Sequence, residues 1–121
     1  MIFSREDLTK SILYDYIFWD SRDIYLKHMQ RFVSNELAIE EFVPRVFFQL
    51  LNSMEECHRL ENDILRQATL ELKPEISQFS IVIYDFYLAV QYFDDGIVTE
   101  TELRQVIKNN ILPRVENYFP S

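Results

Sequence analysis

Residues Ile76 to Phe93 read ISQFSIVIYDFYLAVQYF, and this stretch decides the fold class. Apolar and aromatic side chains lie on almost every side of the helix that it predicts, which is typical of a helix buried at the centre of a domain. The stretch carries Gln78, Asp85 and Gln91, which interrupt the apolar run. It therefore lacks the uninterrupted stretch of about 18 apolar residues that a membrane span needs. We predict a buried central helix instead.

The composition around this stretch also favours helices. The chain has 121 residues with one glycine and four prolines, which is too few for a fold built on many tight turns. Ten Phe, seven Tyr and one Trp supply a large apolar core, and disordered chains are poor in these residues. We predict an all-α, single-domain antiparallel helical bundle of four to five helices, spanning residues 1–121.

Several connections in the first half can be read from local sequence. Residues 34–36, Ser-Asn-Glu, predict the first clear connector, and a second helix is expected from Ala38. The pattern around Asp20 leaves open whether residues 5–33 form one helix or two. Ser53 followed by Glu56 is typical of a helix start, so a new helix or a bend is expected near Asn52-Ser53.

The second half of the chain contains clearer signals for where helices begin and end. Pro74 suits the first position of the central helix, and Gly96 suits the left-handed residue that ends it. Thr99 with Glu102 predicts a capping box at the start of the final helix, and Pro113 predicts a kink within it.

The cellular compartment is predicted from cysteine usage and targeting segments. Cys57 is the only cysteine, so no internal disulfide is expected, as in a reducing compartment. The N-terminal residues lack a basic region followed by an apolar run, so no secretory signal is expected. Together with the absence of an expected membrane span, these features predict a cytoplasmic protein.

The charge balance predicts the class of partner. With 20 acids against 12 bases, the net charge is −8. This charge repels nucleic acid and anionic membranes and favours a basic protein partner. Solubility alone explains an acidic composition equally well.

Two short motifs resemble metal sites but lack part of the ligand set. Gln91 to Glu102 aligns with a calcium loop that has Gly96 at the turn, but the third ligand position is Phe93, which has no side-chain oxygen. Glu55 and His58 form one Glu-x-x-His pair, whereas di-iron bundles need two such pairs and two more glutamates. We therefore predict no metal and no cofactor.

Known catalytic motifs are also missing from the sequence. It contains no G-x-S-x-G, phosphate-binding loop, dinucleotide fingerprint or His-Glu-x-x-His. Cys57 and His58 are adjacent on a helix and point in different directions, so they do not form a nucleophilic pair. Asp85 either faces a partner or a groove, or it lies on a narrow solvent stripe or caps a neighbouring helix. We favour the latter two positions because buried unpaired acids are costly. The chain is predicted not to be an enzyme.

Two stretches resemble the family of colicin D-like immunity proteins, small helical bundles that bind and inactivate the nuclease domain of a bacteriocin. The first, from Ile24 to Leu50, reads IYLKHMQRFVSNELAIEEFVPRVFFQL and is similar to the family's opening helix, short connector and acidic helix start. In that connector, Asn35 stands where the family often has glycine. The second, from Asp85 to Ile107, reads DFYLAVQYFDDGIVTETELRQVI and is similar to its aromatic helix, acidic loop and closing helix.

The resemblance implies an immunity protein that neutralises a basic secreted nuclease toxin by occupying its active cleft. Carboxylates would then replace phosphates in pairs with Lys and Arg of the toxin. The acids that we predict to contact the partner first surround one loop and helix start: Asp94, Asp95, Glu100 and Glu102. A second predicted face carries Glu55, Glu56, Glu61 and Asp63. Helix capping and solvation explain the first group equally well.

The alternative function is a non-enzymatic helical interaction or regulatory module, which could form a homodimer. It predicts a large exposed apolar patch that includes residues such as Phe18 or Trp19. Oligomeric state distinguishes it from an inhibitor that acts as a monomer.

Overall fold

The computed structural model describes residues 5–67 and 73–119, with side chains described for residues 10–61 and 73–119. Within these ranges every regular element is a helix: α1 Arg5–Asp20, α2 Arg22–Val33, α3 Ile39–Gln67, α4 Pro74–Asp94, α5 Glu100–Val106, a π-helical turn Ile107–Ile111, and α6 Leu112–Glu116. α5, the π turn and α6 follow one another without a break and form one distorted helix. The predicted all-α bundle is confirmed.

Residues 5–33 form two helices rather than one. α1 ends at Asp20 and α2 begins at Arg22, with Ser21 between them. The backbone N–H of Ser21 still donates to the carbonyls of Ile17 and Phe18, at 3.2 and 3.1 Å. The question that the sequence left open is thus settled in favour of a break at Ser21.

α3 continues through the position where a new helix was expected, so a helix start at Asn52-Ser53 is wrong. The Ser53 hydroxyl donates to the backbone carbonyl of Gln49, one turn back, at 3.0 Å. This local bond satisfies the buried hydroxyl inside the helix, where a capping serine would instead accept from the backbone. Glu56 pairs with Arg59, with 2.6 Å between Oε1 and Nη2.

The other predicted boundaries are confirmed. α4 begins at Pro74. Asn35 and Gly96 adopt the left-handed conformation with φ of 65° and 77°, which glycine and asparagine tolerate best. Both bonds of the capping box form, because Thr99 Oγ1 accepts from the Glu102 backbone and Glu102 Oε1 accepts from the Thr99 backbone, each at 3.1 Å.

The distortion predicted at Pro113 lies in the π turn immediately before it. Proline has no N–H for the carbonyl of Asn109, and its ring crowds that carbonyl. A π turn accommodates one residue more than an α turn. Ile107 and Ile111, at the two ends of the turn, are both buried.

α4 is the helix around which the core forms. It packs against α1 and against the distorted helix of α5, the π turn and α6. Its core side carries Phe79, Ile83, Phe86 and Val90, all essentially inaccessible to solvent. All six helices and the π turn contribute side chains to the main buried cluster. No described helix is both long and apolar enough to cross a membrane.

Two buried tyrosines link α2 to α4. The hydroxyl oxygens of Tyr25 and Tyr87 are 2.7 Å apart, so one hydroxyl donates a hydrogen bond to the other. Burial raises the pKa of Tyr25 to about 12 and also raises the pKa of Tyr87. Both hydroxyls therefore stay protonated and bonded at neutral pH.

The prediction that α4 is a buried central helix does not hold on one side of the helix. Four of its apolar side chains are exposed, by 55 % for Ile81, 51 % for Tyr84, 49 % for Leu88 and 43 % for Tyr92. These positions recur every three or four residues, so they share one face of the helix. The neighbouring helices cover the rest of α4 but leave this face open.

Candidate interaction site

The exposed face of α4 carries four apolar side chains, which we call the exposed row: Ile81, Tyr84, Leu88 and Tyr92. At a rise of about 1.5 Å per residue it extends over about 16 Å, or three helical turns. The ring of Tyr84 packs edge-on against Phe18 of α1, with centroids 5.5 Å apart. This contact holds one edge of the row in place.

A groove runs beside the exposed row, between α4 and the distorted helix that follows it. Its main cavity has a volume of about 320 Å³. Most of the lining is apolar and is supplied by Leu88, Ala89, Tyr92, Val98, Leu103, Val106 and Ile111. The polar lining residues are Asp85, Asn110 and Arg114. Mostly apolar walls with a few polar groups are typical of binding pockets.

An ion pair crosses this groove. Arg114 Nη1 donates to Asp85 Oδ2 at 2.9 Å, and both side chains are nearly half exposed. Arg114 also lines a second cavity of about 280 Å³, which Ile81 and Tyr118 help to form, so the pair lies between the two cavities. Asp85 is thus exposed and paired rather than buried without a partner.

The π turn shapes the wall of the groove opposite α4. Asn110 and Ile111 belong to this turn and line the main cavity. π turns inside α-helices occur frequently at functional sites, because the extra residue changes which side chains face a neighbour. Here the π turn places the side-chain amide of Asn110 next to the apolar side chain of Ile111 at the surface of the cavity.

The structure brings the first group of predicted acids together, between the end of α4 and the first turn of α5: Asp94, Asp95, Glu100 and Glu102. The stretch from Asp94 to Glu102, which we call the acidic loop, runs from the last residue of α4 into the first turn of α5. It follows the groove residue Tyr92 and contains the groove residue Val98. Asp95 Oδ1 accepts a hydrogen bond from Gln91 Nε2 at 2.9 Å, which limits the movement of that carboxylate. The acidic loop therefore forms one end of the groove.

The two glutamates of this group also have local roles. Glu100 pairs with Arg104 at 3.2 Å, and Arg104 in turn donates to the backbone carbonyl of Phe32 and lies over its ring. Glu102 completes the capping box with Thr99, as described above. Helix capping therefore accounts for one carboxylate oxygen of Glu102, Oε1. The other oxygen can still accept a hydrogen bond from a partner.

The charge at this end of the molecule is unbalanced. From Pro74 to Leu103 the chain contains no Lys, Arg or His but six acids: Glu75, Asp85, Asp94, Asp95, Glu100 and Glu102. Arg104 and Arg114 neutralise two of these acids from outside the segment. No cation among the described side chains forms an ion pair with Asp94, Asp95 or Glu102. The end of the groove is therefore negative.

The second predicted acidic group lies elsewhere, on α3. Glu55 and Glu56 do not line the groove. The hydrogen bond from Arg59 lowers the pKa of Glu56, and Glu61 lies 3.7 Å from Lys10 of α1. The Asp63 side chain lies outside the described residues. The structure does not bring the two predicted groups into one site.

Phe18 and Trp19, which the alternative function predicted on an exposed apolar patch, are buried and partly buried. Phe18 is only 1 % exposed, and Trp19 packs edge-on against Phe79 and Tyr118 with Arg22 over its ring. Sequence reasoning missed the exposed row and the groove. The three- and four-residue spacing of these side chains can be read from the sequence. It does not single out one exposed face, because the other sides of α4 are equally apolar.

The described side chains lack two arrangements, a metal-binding cluster and a Cys-His nucleophilic pair. Among the described side chains there is no group of three or more His, Cys, Asp or Glu that could hold a metal ion. Cys57 is buried whereas the adjacent His58 is exposed, so they do point in different directions. Burial raises the pKa of the Cys57 thiol, which disfavours the reactive thiolate.

The arrangement suits recognition through side chains. The groove can receive apolar groups, and the carboxylates at its end can pair with cations. No family model, curated protein or solved structure matches this chain significantly.

Proposed function

We propose that this protein is an immunity-type binding protein that captures and neutralises a basic nuclease toxin. The observation that carries the proposal is the segment from Pro74 to Leu103, which has six acids and no base and ends beside an apolar groove. Recognition needs no catalysis, cofactor or metal. The chain acts in the cytoplasm, where its single thiol stays reduced.

The chemistry of the partner follows from the charge. A nuclease binds the phosphates of its substrate with Lys and Arg side chains. The carboxylates of Asp94, Asp95 and Glu102 can form charge-assisted hydrogen bonds with those Lys and Arg side chains in place of the phosphates. The opposite fields of the two proteins also accelerate their encounter at low salt.

Local bonds prepare the acidic loop for this role. The capping box fixes Glu102, and the amide of Gln91 restrains Asp95, so less side-chain freedom is lost when a partner binds. The stretch from Asp85 to Ile107, which resembles the aromatic helix and acidic loop of colicin D-like immunity proteins, contains this same loop. The charge distribution and the family resemblance therefore both support the acidic loop as the surface that contacts the partner.

Affinity capture from the source organism, at low and at raised salt, tests this proposal. We expect a basic nuclease domain to be recovered, to be lost at raised salt, and to stop cleaving RNA when the chain is added in equal amount. A double variant, Asp94→Asn with Asp95→Asn, should recover less of it.

The matched control is Glu55→Gln with Glu56→Gln, which removes the same charge from α3 and should capture the nuclease like the wild type. If the control variant alone loses capture, the contact surface lies on α3. The absence of any basic nuclease, in repeated captures at low salt, would contradict the proposal.

The exposed row favours a second candidate, a helical interaction module that forms homodimers. Four half-exposed apolar side chains on one face of α4 are unusual for a surface that faces only water. Sedimentation of the purified chain separates the candidates, because the first predicts a monomer and the second a dimer that dissociates when Leu88 is replaced by serine.

A further inference from the structure

We propose that the partner docks a basic amphipathic helix along the exposed row, with one apolar side chain inserted into the main cavity of the groove. This inference rests on the proposed function, since it takes the basic partner from there and adds the structural element that is recognised. The acids at the end of the groove then pair with cations on the flanks of that helix.

The dimensions of the surface fit such an element. The exposed row is about 16 Å long, which matches three turns of a partner helix lying beside α4. The cavity of about 320 Å³ opens between Leu88 and Val106, both of which are partly exposed. An apolar residue at the centre of the partner helix would therefore meet an opening at the centre of the row.

A helix suits this surface better than a strand does. The described residues contain no strand, so there is no sheet edge to which an extended segment could add. The backbone groups inside α4 bond within their own helix and are not available. Recognition must therefore come from side chains, which is how a helix binds in a groove.

Charge decides between a basic partner and a second copy of this chain. The segment from Pro74 to Leu103, which supplies the exposed row and one wall of the groove, carries six acids and no base. Packing two copies of the exposed row together would bring two such segments side by side in chains that each have a net charge of −8, and like charges would repel. A basic helix has charge complementary to this segment.

Two synthetic peptides of identical composition, made of leucine and lysine, test the docking mode. In one peptide the leucines lie on a single helical face, and in the other the order is scrambled. Binding of each labelled peptide to the full chain is measured by fluorescence anisotropy. We expect the facial peptide to bind about tenfold or more tightly than the scrambled one, since it alone can bury leucines in the row and groove.

Variants assign this difference to the surface. Leu88→Ser should abolish it, and Tyr92→Ser should reduce it. Phe48→Ser, at a residue of α3 that is 64 % exposed and does not line the groove, should leave it unchanged. All three positions face solvent, and circular dichroism of each variant verifies that the fold is intact.

The outcomes separate this inference from the proposed function. If both peptides bind the wild type equally and only Asp94→Asn with Asp95→Asn weakens them, docking of a helix is wrong while capture by charge stands. A dimer that Leu88→Ser dissociates would also overturn the inference, because a second copy would then occupy the row. If neither peptide binds even at low salt, both the inference and the electrostatic basis of the proposed function fail.

Discussion

The guanidinium of Arg114 on α6 meets the carboxylate of Asp85 on α4 across the groove, with Nη1 2.9 Å from Oδ2. This is the one ion pair among the described residues that joins the two walls of the groove. Because both side chains are nearly half exposed, solvent screens the pair. It positions two side chains at the surface more than it stabilises the fold.

We therefore expect the ion pair to contribute little stability. In a double-mutant cycle with Asp85→Asn and Arg114→Gln, the coupling free energy should be about 0–1 kcal/mol. Urea unfolding of the four proteins measures it. A coupling of several kcal/mol would show that the pair is shielded from water, contrary to the exposure described here.

Variants of the capping box can separate the effect of helix stability from the effect of charge. Thr99→Ala removes a cap acceptor and should lower the free energy of unfolding by about 1 kcal/mol, without changing the net charge. Glu102→Gln keeps an oxygen for the Thr99 N–H, so its effect on unfolding should be smaller. If the acidic loop binds a basic partner, Glu102→Gln should still weaken binding and Thr99→Ala should not. Urea unfolding and partner titration, performed on both variants, check this.

Two phenylalanines on α3 give a matched test of the core. Phe42 is buried and stacks on Phe32 with centroids 4.0 Å apart, whereas Phe48 is mostly exposed. Phe42→Ala should cost about 3–5 kcal/mol through lost burial and the cavity it leaves. Phe48→Ala should change the free energy of unfolding by about 0.5 kcal/mol or less. Similar losses for the two variants in denaturant unfolding would contradict the packing of α3.

The buried tyrosine pair predicts sensitivity to alkali. The pKa values of Tyr25 and Tyr87 are raised above the ordinary 10.0 in the folded chain, so the fold favours their neutral forms. Their contribution to stability is complete below pH 10.0 and is lost as the pH rises through the folded pKa, about 12 for Tyr25. The loss should be on the order of 3 kcal/mol for Tyr25.

Urea unfolding at successive alkaline pH values measures that loss, and tyrosinate absorbance follows the ionisation. A double variant, Tyr25→Phe with Tyr87→Phe, should show a shallower decline above pH 10.0 than the wild type. It should also be less stable at neutral pH by about 1 kcal/mol, because the hydroxyl bond is lost. An equally steep decline in the variant would assign the alkaline sensitivity to other groups.

Local sequence predicted the boundaries that depend on backbone chemistry. Pro74 and Gly96 were identified correctly because each residue restricts or permits a particular backbone conformation. The capping box of Thr99 and Glu102 was identified because its bonds span only three residues. The helix start predicted at Ser53 is wrong, because a serine hydroxyl that can cap a helix can also donate to the backbone carbonyl one turn back.

The site depended on information that the sequence does not carry. The acids from Asp94 to Glu102 were grouped correctly because they are close in the chain. The exposed row was not recognised, because which side of an apolar helix stays uncovered depends on where the neighbouring helices pack. The groove also depends on the π turn, since that turn determines that Arg114 faces Asp85.

The π turn makes the length of the last helix as important as its composition. It accommodates one residue more than an α-helical turn holds. Deleting a single residue between Ile107 and Ile111 would restore regular winding and leave the residues after it facing the same sides, because the widened turn already absorbs the extra residue. Forcing the turn into regular α-helical winding at unchanged length would instead rotate everything after it by about 100° about the helix axis. Val115 would then leave the core and Arg114 would turn away from Asp85, although neither residue had been changed.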